Sequence, residues 1–92
     1  MGFTKESATE RAKQDLADRL KTDLASIKEL SVEEKDFPDM SLGAPEPGEM
    51  SAQMISSGWQ INLGLEGNTY DYRADKYQLR LADWRGRNHL IE

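Results

Sequence analysis

Apolar and polar residues alternate without exception from Trp59 to Leu65, in the order WQINLGL. Successive side chains of a strand point to opposite faces, so this pattern predicts an antiparallel strand with one buried face and one solvated face. Gly67-Asn68 follows and is typical of a two-residue hairpin turn. With that turn, every apolar residue lies on one face, and the predicted pairs are Leu65 with Tyr70, Leu63 with Tyr72, and Ile61 with Ala74.

The same apolar face extends into two further predicted hairpins. A turn at Asp75-Lys76 pairs apolar residues again and leaves one charged pair on the opposite face: Ala74 with Tyr77, Tyr72 with Leu79, Tyr70 with Leu81, and Asp71 with Arg80. On the other side, a loop at Ser57-Gly58 gives the pairs Met54 with Ile61, Ala52 with Leu63, and Met50 with Leu65. Three hairpins therefore agree on one buried face.

A single amphipathic helix is predicted before the strands, from Ala8 to Lys21. Its N-terminus has the pattern of a capping box, with Ser7 as the N-cap and Glu10 three residues later. One side of the helix is apolar, namely Ala8, Ala12, Leu16, Ala17, Leu20 and Leu24. Small alanines near the start favour close packing against a sheet.

These elements predict an α+β domain of two layers. The N-terminal helix packs on a four- to five-stranded antiparallel meander sheet, whose first strand runs from Ile27 to Phe37. The 92 residues suit a single domain, 1–92, with residues 1–6 and 85–92 as mobile tails.

Few residues could carry catalysis or bind a metal. The chain has no cysteine and one histidine, His89, so neither a zinc site nor a thiolate nucleophile is expected. No phosphate-binding glycine loop and no G-x-S-x-G motif occurs. We therefore expect a protein that is not an enzyme and that needs no metal or cofactor.

The charge and hydropathy of the chain limit the kinds of partner that it is expected to bind. The net charge is −5, with seven bases and twelve acids in residues 1–50 and five of each in residues 51–92. An acidic chain is not expected to bind nucleic acid. There is no apolar run of membrane-spanning length, no N-terminal signal-peptide pattern and no cysteine, so we expect a monomer in the cytoplasm, away from the membrane.

The segment Phe37–Glu49, FPDMSLGAPEPGE, contains all three prolines and shows no helix or strand period. A loop this long in a small domain is usually functional or fills a core. Two interpretations remain open: the segment covers the sheet edge with Met40 and Leu42 inward, or it presents a preformed surface to another protein. On the second, the candidate binding residues are Asp39, Ser41, Leu42, Gly43, Pro45, Pro47 and, at the end of the last strand, Trp84.

Several motifs resemble a group of small, uncharacterised bacterial domains common in cyanobacteria. They are Ser31-Val32-Glu33, the stretch FPDMSLGAPEPG, Gln53, Gly58-Trp59-Gln60-Ile61 and Tyr70-Asp71-Tyr72. The group's pattern is S-V-E, three residues, then W-P-D-x-S-L-G-C-P-x-P-G. Here Phe37 replaces the tryptophan, Ala44 replaces the cysteine, and Ala82 lies where a second cysteine is expected. The resemblance implies a fold and a bridge lost as a pair, but no activity.

A weaker likeness is to cystatins, which place one helix across an antiparallel sheet and inhibit cysteine proteases through a Q-x-V-x-G hairpin. The corresponding stretch here is Gln53-Met54-Ile55-Ser56-Ser57-Gly58, which is one residue longer. This resemblance implies an alternative function, cysteine-protease inhibition through Gln53, Ser56, Ser57 and Gly58.

Overall fold

The structure, a computed structural model, describes residues 2–92. Helix α1 (Lys5–Leu20) and a short 3-10 turn (Leu24–Ser26) precede five strands. The strands are β1 (Lys28–Phe37), β2 (Ser56–Leu65), β3 (Asn68–Ala74), β4 (Leu79–Trp84) and β5 (Arg87–Leu90). They form one sheet in chain order, and each is antiparallel to its neighbours. The predicted α+β architecture is confirmed.

Helix α1 begins three residues earlier than predicted. Thr4 is the N-cap, and its hydroxyl accepts from the Ser7 backbone N–H at 3.1 Å. The Ser7 hydroxyl accepts in return from the Thr4 N–H at 2.8 Å, so Ser7 occupies the N3 position of the capping box. A Thr-x-x-Ser pair closes the same reciprocal arrangement as Ser-x-x-Glu, which is why the choice of Ser7 and Glu10 was wrong.

The apolar side of α1 packs on the sheet as predicted. Its buried residues join a core from three strands, and the cluster consists of Ala8, Ala12, Leu16, Ala17, Ile27, Ile61, Leu63, Tyr72, Ala74, Leu79 and Leu81. Trp59, Tyr70 and Trp84 pack against it. Leu24 is the exception, because the helix ends at Leu20 and the following 3-10 turn leaves Leu24 exposed.

The β2–β3 turn lies one residue earlier than predicted, at Glu66-Gly67. Both residues have a positive φ, 50° and 83°, which a type I′ hairpin turn requires. Glycine therefore occupies the second central position of the turn. The register shifts by two residues, and the pairs are Trp59 with Ala74, Ile61 with Tyr72, and Leu63 with Tyr70. A shift of two keeps every side chain on its predicted face.

The β3–β4 connection is longer than the predicted turn at Asp75-Lys76. The Asp75 carboxylate accepts from the Tyr77 N–H at 2.8 Å and the Gln78 N–H at 3.0 Å, which closes a four-residue turn. Tyr77 is consequently exposed and does not face Ala74. The observed pairs are Ala74 with Leu79, Tyr72 with Leu81, Arg73 with Arg80, and Asp71 with Ala82.

The predicted strand from Met50 to Met54 is wrong. Strand β2 begins at Ser56 and pairs with β1, with Phe37 opposite Ser56 and Val32 opposite Ile61. Met50, Ala52 and Met54 are exposed residues of the irregular connection 38–55. Since β1 already occupies the free side of β2, no position is left for another strand there.

Strand β5 lies within residues 85–92, for which the sequence predicts a mobile tail. Asp83 and Arg85 have positive φ, 50° and 54°, and the β4–β5 register shifts between Leu81 and Trp84. At the other end, residues 2–4 precede the helix, and Met1 lies outside the described residues. Within residues 2–92, no helix combines the length and apolarity needed to cross a bilayer.

The two faces of the sheet are covered by different parts of the chain. The helix face carries the core residues of β2, β3 and β4 and packs against α1. The alternate residues, including Arg73 and Arg80, form the loop face. The connection 38–55 crosses the loop face from β1 to β5 and returns to begin β2, as its contacts with Arg73, Arg80 and Leu90 show.

Candidate functional site: the surface of connection 38–55

Two arginines on the loop face hold the connection. Arg73 in β3 lies directly opposite Arg80 in β4. Like charges in this position repel each other unless they are neutralised. Arg73 pairs with Asp71 at 3.0 Å, and Arg80 makes a bidentate pair with Glu49 at 2.6 and 2.7 Å. Only 4% of Arg80 is exposed, so its charge depends on Glu49.

The same side chains bind the backbone of the connection. Arg73 donates to the Leu42 carbonyl at 2.9 Å, and Arg80 donates to the Ala44 carbonyl at 3.2 Å. Further donors reach the carbonyls of Met40 and Pro45, from Gln78 at 2.7 Å and Asn88 at 2.9 Å. An irregular segment leaves its carbonyls unpaired, and the sheet supplies the missing donors.

Asp39 organises the first turn of the connection. One carboxylate oxygen accepts from the Gly43 N–H at 3.0 Å, the Ser41 hydroxyl at 2.7 Å and the Ser41 N–H at 3.0 Å. These bonds, led by the one from Gly43, lower the pKa of Asp39. Leu42 and Gly43 both have left-handed backbones, with φ of 60° and 67°. The left-handed backbone explains why position 43 is glycine. Leu42 adopts the same conformation because the residues packed around it hold it there.

A second turn depends on Glu49. Its carboxylate accepts from the Glu46 N–H at 2.9 Å as well as from Arg80. Arg80, followed by the Glu46 N–H, lowers the pKa of Glu49 to about 2. Glu49 therefore stays ionised at neutral pH.

The connection also has a small apolar core of its own. Phe37, Leu42 and Ala44 are buried, together with Ser41, whose hydroxyl accepts from Ser51 at 3.0 Å. Ala44 and Ala82, the two positions where the resemblance implies cysteine, are both buried. The inward placement expected for Leu42 is observed, but Met40 is partly exposed.

The candidate binding residues are therefore not equally accessible. Ser41 and Leu42 are buried, and the Asp39 carboxylate is occupied by its own turn. Gly43, Pro45 and Pro47 are exposed and form the outer surface of the connection.

Trp84 lies on the opposite face of the sheet. The Arg85 and Arg19 guanidiniums lie 4.4 and 5.0 Å from the centre of its ring, and His89 contacts it edge-on at 5.4 Å. Arg19 belongs to α1, which covers the helix face. Trp84 and the connection therefore do not form one continuous binding surface.

The predicted inhibitor hairpin does not form. Gln53 lies in the irregular connection, whereas Ser56, Ser57 and Gly58 belong to β2 and pair with Phe37, Asp36 and Lys35 of β1. Gly58 is required by close approach and not by a turn, since a Cβ there would overlap the carbonyl oxygen of Ala74. Residues 53–58 therefore do not form the hairpin through which the resemblance implied cysteine-protease inhibition.

Four apolar side chains of the connection 38–55 are exposed, which the sequence did not predict. They are Met40, Met50, Met54 and Ile55, and we call them together the Met patch. The exposed fractions are 43%, 96%, 63% and 74%. A bond from the Met40 N–H to the Ala52 carbonyl at 3.0 Å places the outgoing and returning parts of the connection side by side. No pattern in the sequence indicated this exposure, because the alternation of Met50, Ala52 and Met54 predicted a strand with one buried face.

The ionisable side chains of the connection are engaged within the fold. The ionisable groups of the connection are paired with each other or with the sheet, as Arg80–Glu49 and the Asp39 turn show. Across residues 2–92, no group of three or more histidine, cysteine or acidic side chains is placed to hold a metal ion. The accessible features are the Met patch and the proline-rich outer surface.

Searches of curated proteins and of solved structures found no significant match. A family described as a domain of unknown function (DUF8738) matches residues 9–82. The matched range contains most of α1, the whole connection 38–55, and both arginines that hold it. It ends before Trp84 and β5. This chain therefore belongs to that family, the domain of unknown function DUF8738.

Proposed function

We propose that this chain is a small, non-enzymatic domain that binds another protein through the Met patch and the adjoining outer surface of the Pro/Gly segment. The observation that carries the proposal is the exposure of Met40, Met50, Met54 and Ile55 together on one connection. Clustered apolar side chains on a small domain cost solubility and often mark an interaction site.

The way the connection is held supports this proposal. A flexible loop loses conformational entropy when it binds, and that loss weakens affinity. Here the backbone is tied to the sheet through Arg73 and Arg80, so much of that cost is met when the domain folds. The surface is thus preformed for a partner.

The composition of the patch also suits protein contacts. Methionine side chains are unbranched and polarisable, so they adapt to irregular apolar surfaces. Met40 is partly anchored, because its sulfur accepts from the Ser56 hydroxyl at 3.4 Å. Gly43, Pro45 and Pro47 add exposed surface with little side-chain entropy to lose.

Affinity capture with matched variants tests the proposal. Met54→Gln with Ile55→Gln removes two of the four exposed apolar side chains without changing charge. Leu24→Gln with Leu30→Gln is the control, since both leucines are exposed, Leu24 precedes β1, and Leu30 lies about 23 Å from the end of that strand. Both variants should keep the circular dichroism spectrum of the wild type.

The proposal expects at least one protein that is captured by the wild type and by the control but not by the patch variant. That protein, once purified, should bind directly with the same dependence on Met54 and Ile55. Equal capture of every bound protein by the patch variant would contradict the proposal.

A further inference from the structure

The sulfur atoms of this chain are concentrated in one segment. The sequence contains four methionines and no cysteine. Met40, Met50 and Met54 lie in the connection 38–55, and Met1 lies outside the described residues. Mild oxidants attack methionine and cysteine through their sulfur atoms. Within residues 2–92, oxidation of sulfur is therefore confined to the connection whose surface we propose as the binding site.

Two of these methionines are open to solvent. Met50 is 96% exposed and Met54 is 63% exposed. A dissolved oxidant reaches both side chains without any local unfolding, so the fold gives them little protection. Neither side chain belongs to the buried core. Their conversion to a polar form therefore leaves the packing of the domain unchanged.

Met40 is better protected than the other two. It is 43% exposed, and its sulfur accepts a hydrogen bond from the Ser56 hydroxyl at 3.4 Å. That bond engages a lone pair of the sulfur, and a sulfur lone pair is what attacks an oxidant. Oxidation should therefore begin at Met50 and Met54 and reach Met40 later.

The oxidised chain keeps the shape of the connection and loses part of its apolar surface. Methionine sulfoxide is polar, whereas methionine is apolar. The backbone of the connection is held by Arg73 and Arg80 through the carbonyls of Leu42 and Ala44, and sulfur takes no part in those bonds. The modification thus changes what the surface can bind while the surface stays in place.

We propose that Met50 and Met54 form a reversible oxidation site that abolishes binding to the connection when it is oxidised. This inference rests on the proposed function, because it assigns the regulation of the same surface. The oxidant is a hydroperoxide. The sulfur lone pair forms an S–O bond as the O–O bond breaks, so that sulfur loses two electrons and the peroxide is reduced to water or an alcohol.

The reverse step needs a reductant from outside the chain, since the chain has no cysteine. Methionine sulfoxide reductases remove the oxygen with two thiols, which become a disulfide as water leaves. The thioether is thereby restored, and the surface regains its apolar side chains.

Mass spectrometry of the wild type after treatment with hydrogen peroxide tests the site itself. Cleavage after glutamate separates Met40, in peptide 35–49, from Met50 and Met54, in peptide 50–66. Fragmentation distinguishes the last two. We expect Met40 to be oxidised at least about fivefold more slowly than Met50, because susceptibility follows exposure. Oxidation of Met50 and Met54 no faster than that of Met40 would overturn the inference.

Hydrophobic-interaction chromatography on a phenyl resin measures the loss of apolar surface. The oxidised wild type should elute earlier with an unchanged circular dichroism spectrum, and sulfoxide reductases with dithiothreitol should restore its retention. Met50→Leu with Met54→Leu is the matched control, because leucine keeps the size and apolarity without the sulfur. Its retention should not change at the same dose of peroxide. An equal shift in this variant would overturn the inference.

Affinity capture separates the inference from the proposed function. Oxidation should remove from the wild type the proteins whose capture depends on Met54 and Ile55, while the leucine variant keeps them after the same treatment. Continued capture by the oxidised wild type would overturn the inference and leave the proposed function standing. If no capture by the untreated wild type depends on Met54 and Ile55, the proposed function is contradicted, and the regulation with it.

Discussion

The two faces of the sheet are covered in different ways. On the helix face, α1 satisfies its own backbone hydrogen bonds, so the sheet contributes mainly apolar side chains such as Ile61 and Leu63. On the loop face, the connection 38–55 has no regular hydrogen bonding, and the sheet offers Arg73 and Arg80 as donors to its carbonyls. The regularity of the covering element thus determines whether the sheet beneath it is apolar or charged.

The largest expected effect comes from deleting one buried leucine on each face. Leu16 and Leu42 are both fully buried. We expect Leu16→Ala to lower the free energy of unfolding by about 3 kcal/mol, because the packed core keeps the cavity. Leu42→Ala should cost about 2 kcal/mol, since an irregular segment can settle into the space. Urea denaturation measures both, and a larger loss for Leu42→Ala would contradict the comparison.

The variant Arg80→Met tests whether the charged side chains of the loop face hold the connection in place. This change keeps much of the side-chain volume but removes the arginine donors to the Glu49 carboxylate and the Ala44 carbonyl. We expect a loss of about 2 kcal/mol, below that of a fully buried pair because Glu49 can rehydrate. Arg87→Met, at an exposed position of β5, should change the stability by less than about 0.5 kcal/mol. Equal stabilities of the two variants would show that Arg80 does not hold the connection.

The contribution of the connection 38–55 to stability should depend on pH in the acid range, because it relies on the Glu49 carboxylate. The pKa of Glu49 is lowered to about 2 from its ordinary value of 4.5. A lowered pKa contributes stability that is present above the unfolded-state value and is lost as the pH falls through the folded-state value. Stability should therefore decline between about pH 4.5 and pH 2, and Glu49→Gln should reduce that slope.

Denaturation curves at several pH values measure this slope. Glu33→Gln is the matched control, because it removes an exposed carboxylate with no ion-pair partner among residues 2–92. Part of the slope should remain in Glu49→Gln, since the pKa of Asp39 is also lowered. An unchanged slope in Glu49→Gln would contradict the role of Glu49.

The smallest effect concerns a polar link between α1 and the core of the sheet. The Tyr72 hydroxyl donates to the Asp15 carboxylate at 2.7 Å, and burial with this bond raises the pKa of Tyr72. Tyr72→Phe should cost about 1 kcal/mol, because Asp15 keeps its pair with Arg19 at 2.6 Å. A loss larger than that of Arg80→Met would mean that the helix face depends on polar contacts more than on packing.

The helix face could be predicted from the sequence because periodicity encodes it. Trp59–Leu65 alternates strictly, and an error of two residues in register keeps each side chain on its face. The start of α1 was less certain, since Thr4 and Ser7 are both good N-caps. These errors shift boundaries and leave the architecture intact.

The loop face could not be predicted in the same way. Arg73 and Arg80 resemble solvated charges in the sequence, and only the observed register places them side by side under the connection. Met50, Ala52 and Met54 have the spacing of a strand, but β2 already pairs with β1 and β3. Their exposure follows from pairing between distant strands, which local patterns do not contain.

Amide hydrogen exchange, followed by NMR, tests most directly whether the connection is held on the sheet. The N–H groups of Met40, Leu42 and Ala44 bond within the connection, to the carbonyls of Ala52, Asp39 and Ser41. We predict that these amides exchange at least about 100-fold more slowly than in an unstructured peptide, and that Arg80→Met removes this protection while β2 and β3 stay protected. Exchange of these three amides at peptide rates in the wild type, with β2 and β3 protected, would contradict the account.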